Sequence, residues 1–117
     1  MDINKMKLAT TVDFELADGT TVQCTLAMYR LKMMASKKKT LYKDVMSFLS
    51  KGSDDIFDQL HIAYAAYVCA NIDAEEEDLL TEDEFIIGCG SDYTGVGELI
   101  QSLIDPKKRT ASANRSN

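Results

Sequence analysis

Three cysteines, one histidine and a few glycine clusters are the residues with which this chain of 117 could do chemistry. Cys24, Cys69 and Cys89 lie far apart, are odd in number and include no C-x-x-C pair, so they assemble neither a disulfide framework nor a four-ligand zinc site. They read as reduced thiols packed like small hydrophobes. His61 is the sole imidazole and stands beside Asp58, Gln59 and the apolar run Ile62 to Cys69. A Cys–His nucleophile pair needs a third group to orient the base, and nothing nearby in the chain supplies one. His61 therefore reads as structural. Gly88-Cys89-Gly90 and Gly95-Val96-Gly97 lack the spacing of a dinucleotide fingerprint, and no phosphate loop or G-x-S-x-G elbow occurs. The acidic run Asp73 to Asp78 imitates a calcium loop, but the sixth position, where such a loop needs Gly, is Asp78. It reads as a solvated connector. No catalytic residue, cofactor site or metal site is expected.

Composition narrows the class without naming a function. The chain has 13 basic and 19 acidic residues, net −6, with 45% hydrophobic and 27% charged residues. These are the proportions of an ordinary globular domain. An acidic balance disfavours a generic nucleic-acid binder. No apolar run approaches the ~20 residues that span a bilayer. Met1-Asp2-Ile3-Asn4-Lys5 lacks the apolar segment of a signal peptide, which points to the cytoplasm and away from a membrane.

The elements begin with a hairpin expected over residues 7–26. Leu8, Thr10, Val12, Phe14 and Leu16 alternate with Lys7, Ala9, Thr11, Asp13 and Glu15, and the alternation resumes with Val22, Cys24 and Leu26. A two-residue Asp18-Gly19 loop would set Val12 against Thr25 and Phe14 against Gln23, spoiling both apolar faces. A three-residue Ala17-Asp18-Gly19 loop sets Phe14 against Val22, Val12 against Cys24 and Thr10 against Leu26. It is a type I turn closed at Gly19 by a residue of positive φ. The bulged hairpin is the expected form.

The apolar period then changes to that of helices, expected over about 28–36, 40–51, 54–71, 81–87 and 92–104. Thr40 is the expected N-cap of the second, which carries Leu41, Val45, Phe48 and Leu49 on one stripe with Tyr42 and Met46 beside it. Gly52 is expected just beyond its end and Ser53 at the next N-cap. The third helix is apolar almost all round, which marks it as central. Thr81 and Glu84 have the spacing of a capping box for the fourth, and Ser91 or Asp92 opens the last. Asp105-Pro106 ends it. Residues 106–117, PKKRTASANRSN, contain no large apolar residue and read as a disordered basic tail. The expected fold is a single α+β domain over 1–105, an N-terminal antiparallel hairpin followed by about five helices in a small bundle.

The order of particular phrases carries a further signal: TTVDFELADGTTV (10–22), LAMYRL (26–31), LYKDVMSFLSKG (41–52), AYAAYVCANID (63–73), LTEDEFI (80–86) and VGELIQSLIDPKKR (96–109). In this order the chain resembles the small tail assembly chaperones of long-tailed bacteriophages and prophages, particularly those of Gram-positive hosts. The resemblance covers nearly the whole chain, and no single phrase is a catalytic or ligand-binding motif. It implies a non-enzymatic morphogenesis factor that acts in the cytoplasm of the infected or lysogenic bacterium and is absent from the mature virion. Its implied partner is the tape measure protein, with the tail tube protein and further copies of the chain as additional partners. The family commonly makes a second, longer product by programmed frameshifting near the end of the shorter frame, the region where Lys107-Lys108 stands here. Two other classes compete: a structural tail-completion or head–tail connector subunit, and a small phage protein that binds a host target.

Partner binding has candidate residues in Met28, Tyr29, Met33, Met34, Tyr42 and Met46, because methionine and tyrosine suit adaptable contact surfaces. The plain alternative is that they fill the core. Charge adds a second signal. Residues 30–51 carry net +6, residues 73–84 net −8, and residues 106–117 net +4, leaving −10 for residues 1–105. A solvated face explains each block. The sharper reading of the basic block is a docking patch for an acidic partner or for another copy of the chain, the acidic block being the complementary surface in head-to-tail association.

Overall fold

A computed structural model describes residues 11–105. Strand β1 (Val12–Glu15) pairs antiparallel with β2 (Thr21–Cys24), placing Val12 opposite Cys24 and Phe14 opposite Val22. The Leu16 N–H donates to the Thr20 carbonyl at 2.7 Å and the Gly19 N–H to the Leu16 carbonyl at 2.9 Å, closing the three-residue loop. Gly19 takes φ 90°, a conformation that costs glycine little. The Asp18 carboxylate stiffens the turn by accepting the Thr20 N–H at 2.9 Å. This is the bulged register that the apolar faces require. Its further pairing, Thr10 with Leu26, and the start of the hairpin at residue 7 lie outside the described residues.

Five α-helices follow: α1 (Met28–Lys37), α2 (Lys39–Lys51), α3 (Ile56–Ala70), α4 (Glu82–Cys89) and α5 (Tyr93–Ile104), with a 3-10 turn at Glu76–Asp78. Two expected caps differ. Thr40 does not cap α2, because Lys38 is the hinge between α1 and α2. The Lys38 N–H donates to Met34 O at 2.8 Å and its carbonyl accepts from Tyr42 N–H at 3.0 Å, so α2 starts at Lys39, one residue before Thr40, and has no side-chain cap. Ser53 does not cap α3. Asp55 does, accepting from the N–H groups of Phe57 and Asp58, while Ser53 Oγ accepts the Asp55 N–H at 3.1 Å. A carboxylate serves both orphan donors and favours the positive end of the helix dipole, which the hydroxyl cannot do as well. The Thr81–Glu84 capping box forms in full at α4, and Asp92 caps α5.

Helix α3 is the axis of the fold. It packs against β2 and against each of the other four helices. Leu60, Ile62, Ala63 and the run Ala65–Cys69 are buried along it. Its alanines let the hairpin exit come close enough for the Thr25 N–H to reach the Ala66 carbonyl at 3.0 Å. Phe85 of α4 is fully buried among Phe14, Tyr64 and Tyr67, with ring centroids 5.6–6.3 Å apart. Burying a side chain of that size stabilises by about 1.5–3 kcal/mol before packing is counted. Both tyrosine hydroxyls grip one residue of the connector. Tyr64 Oη donates to the Leu80 carbonyl and Tyr67 Oη accepts the Leu80 N–H, each at 2.9 Å. At the other side the Ala17 N–H donates to the Gly88 carbonyl at 2.8 Å. A Cβ on Gly88 would lie 3.1 Å from Leu16 Cδ1, so a larger residue there would make the leucine side chain shift by a few tenths of an ångström.

Candidate partner-binding surface

The three cysteines and His61 are packed or hydrogen-bonded within the fold. Cys24, Cys69 and Cys89 are buried, and burial pushes their thiols up to about 12, 12 and 11. At neutral pH they are protonated and poor nucleophiles. His61, at the middle of three helices, bonds at both ring nitrogens. Nδ1 lies 2.8 Å from Glu82 Oε2 of α4, and Nε2 lies 2.8 Å from Asp44 Oδ2 of α2. Both nitrogens donate only in the imidazolium form. Burial opposes that charge, but hydrogen bonds and charge from Glu82 and Asp44 outweigh it and raise the pKa above 6.5. The sequence neighbours Asp58 and Gln59 are not its partners. A cleft of about 390 Å³ between α2 and α3 brings Asp44, Ser47, Lys51, Ser53, Asp58 and His61 together. Carboxylates engage both His61 ring nitrogens, and Ser53 Oγ donates to Asp58 Oδ2 at 2.6 Å.

The six residues nominated for binding divide. Met34 is fully buried, and Met33 and Tyr42 are partly buried against the core. Met28, Tyr29 and Met46 are exposed, Met28 by 89%. On α1 the exposed pair, Met28 and Tyr29, stands in the first turn, and Met34, six positions after Met28, lies about 120° around the helix from it. Leu49, expected on the inner stripe of α2, is also exposed.

The charged blocks meet within one chain. Asp73 lies 3.1 Å from Lys37 Nζ and 3.7 Å from Arg30 Nη1, and Glu76 lies 3.9 Å from Lys38 Nζ. Part of the complementarity expected between copies is therefore used to hold α1 on the connector. Among the described residues, Lys32, Lys39, Lys43 and Lys51 have no carboxylate within ion-pair distance.

A second apolar surface was not legible in the sequence. Ile56, Phe57 and Leu60 of α3, Ile86 of α4, and Tyr93 and Val96 of α5 line a slot of about 210 Å³. Phe57 and Tyr93 line it while 70% and 66% exposed, and Ile87, which follows Ile86 on α4 and is not part of the lining, is 76% exposed. A signal existed in two places. Ile56-Phe57 follows two aspartates at a helix start, and Phe85-Ile86-Ile87 puts three large apolar residues in succession on a helix of 8 residues. Successive helical positions point about 100° apart, so one of the three must face away from the core. Comparison of the chain with known protein families, with curated proteins and with solved structures finds no match.

Proposed function

We propose that this protein is a tail assembly chaperone. It binds the tape measure protein in the bacterial cytoplasm, keeps that long helical chain soluble, assists tube assembly and leaves before the virion is complete. The order of the six sequence phrases supports the identity of the partner. The single observation that carries the binding role is the convergence of exposed Phe57 and Tyr93 on an apolar slot. Large exposed apolar side chains that converge mark interaction surfaces, whereas scattered ones are ordinary. The commitment of the three thiols and His61 to packing and ion pairs favours binding over catalysis.

Co-expression with the tape measure protein of the same phage is the test. The expected result is a soluble complex of the two, and purified virions whose mass spectra lack this chain. Abundant chain in purified virions would instead assign it to the structural connectors, and capture of a host enzyme in place of the tape measure protein would assign it to the host-binding class.

A further inference from the structure

The slot between α3, α4 and α5 has a chemistry that selects its occupant. From the slot geometry and its charge, we infer that it receives an amphipathic helix of a partner protein, one whose apolar ridge is flanked by lysine or arginine. Size comes first. At about 210 Å³ the slot is smaller than the roughly 300–1,000 Å³ that small-molecule sites occupy, and it suits one or two anchoring side chains. Its walls are helices, and the strands do not border it. An extended peptide would find no ladder to join there, whereas a helix satisfies its own backbone and offers only side chains.

Charge supplies the flanks. Residues 52–105 contain fourteen aspartates and glutamates and not one lysine or arginine. Every residue lining the slot comes from that stretch. Asp54 and Asp55 precede Ile56, Asp92 lines the edge, and Asp83 stands one turn from Ile86 on the same side of α4. A partner entering this surface meets carboxylates on several sides, so cationic flanks steer it in and anionic flanks are repelled. The chain's own segments fit poorly. The basic tail, residues 106–117, has no large apolar residue to seat. In α1, the cations Arg30 and Lys37 already face Asp73.

This inference rests on the binding role proposed above and can be separated from it. The probe is a synthetic helical peptide of about 18 residues, with leucine and phenylalanine on one face and lysine on both flanks. Its twin carries glutamate in place of lysine. Fluorescence anisotropy with the full chain should show binding of the lysine peptide that weakens with added salt, and at least about tenfold weaker binding of the glutamate twin. Phe57→Ser and Tyr93→Ser should each weaken the lysine peptide by about tenfold, as loss of an aromatic anchor does. Both residues are exposed, and thermal melts should confirm unchanged folding. Asp54→Lys with Asp83→Lys should shift preference toward the glutamate twin. Equal binding of both peptides, or indifference to Phe57→Ser and Tyr93→Ser, overturns the inference. So does self-association of the chain that Phe57→Ser abolishes, or peptide affinity that rises on deleting residues 106–117, because the occupant would then be a second copy or the tail. If the tape measure protein binds both serine variants as well as the parent, the chaperone role stands and the slot falls. If the slot binds the lysine peptide and the tape measure protein does not bind, the reverse holds.

Discussion

The basic half of the molecule, α1 and α2, and the acidic half, α3 to α5, both expose large apolar side chains, and they do so differently. On α1 and α2 these residues stand among six cations, with Lys38 a seventh at the junction, and the helices are held to the rest partly by Lys37 and Arg30 on Asp73. On α3 to α5, Phe57 and Tyr93 converge on one slot amid carboxylates alone, while Ile87 and Ile104 lie outside its lining. The difference separates exposure from convergence, and the binding role proposed above rests on convergence from separate elements. Met34 and Met28 lie on one helix, and the first is sealed in the core while the second is almost fully exposed.

The largest effect expected lies in the acidic half. Phe85→Ala removes the ring at the centre of the aromatic cluster and should cost about 3–5 kcal/mol in denaturant unfolding. A loss below about 1 kcal/mol would break the view that α3 and α4 carry the core. Next, Met34→Ala should cost about 2–5 kcal/mol, and Met28→Ala should stay within about 0.5 kcal/mol of the parent. Equal effects would mean that α1 does not sit with the Met34 face inward.

His61 joins the two halves, bridging Asp44 of α2 and Glu82 of α4. His61→Gln should cost about 1 kcal/mol, since both pairs are partly solvated. The pKa of His61 is raised on folding, so its contribution is complete below the ordinary value of 6.5 and is lost as pH rises through the raised value. Urea titrations across that range should show the gap between parent and variant shrinking with increasing pH, as long as Asp44 and Glu82 remain ionised. A gap that widens would contradict the clamp. The smallest effect belongs to Asp73→Asn, at an ion pair 66% exposed on the carboxylate side. It should cost about 0.2–1 kcal/mol and vanish in high salt.

The parts of the fold legible in the sequence are those whose logic acts over a few residues. Parity of the apolar faces on either side of Ala17-Asp18-Gly19 admits one hairpin register, and that is the register observed. The Thr81–Glu84 box closes within one turn, and the all-apolar stretch after Asp55 is the buried axis. Caps failed where local options competed. Thr40 lost to a shared hinge at Lys38, and Ser53 lost to a nearby aspartate with a stronger acceptor.

By itself, then, the sequence determined the element order, the hairpin register and the segregation of charge along the chain. Each follows from side-chain period, turn chemistry or composition, which neighbouring residues set among themselves. Only the tertiary structure decided which methionines are core, which carboxylates hold His61, and that Phe57 and Tyr93 open on a common slot. Those outcomes join residues 17 to 36 positions apart, and no local pattern encodes which face of one helix another will cover. That choice is made by packing, when α3 buries as many of its sides as its neighbours can reach and leaves the rest to solvent.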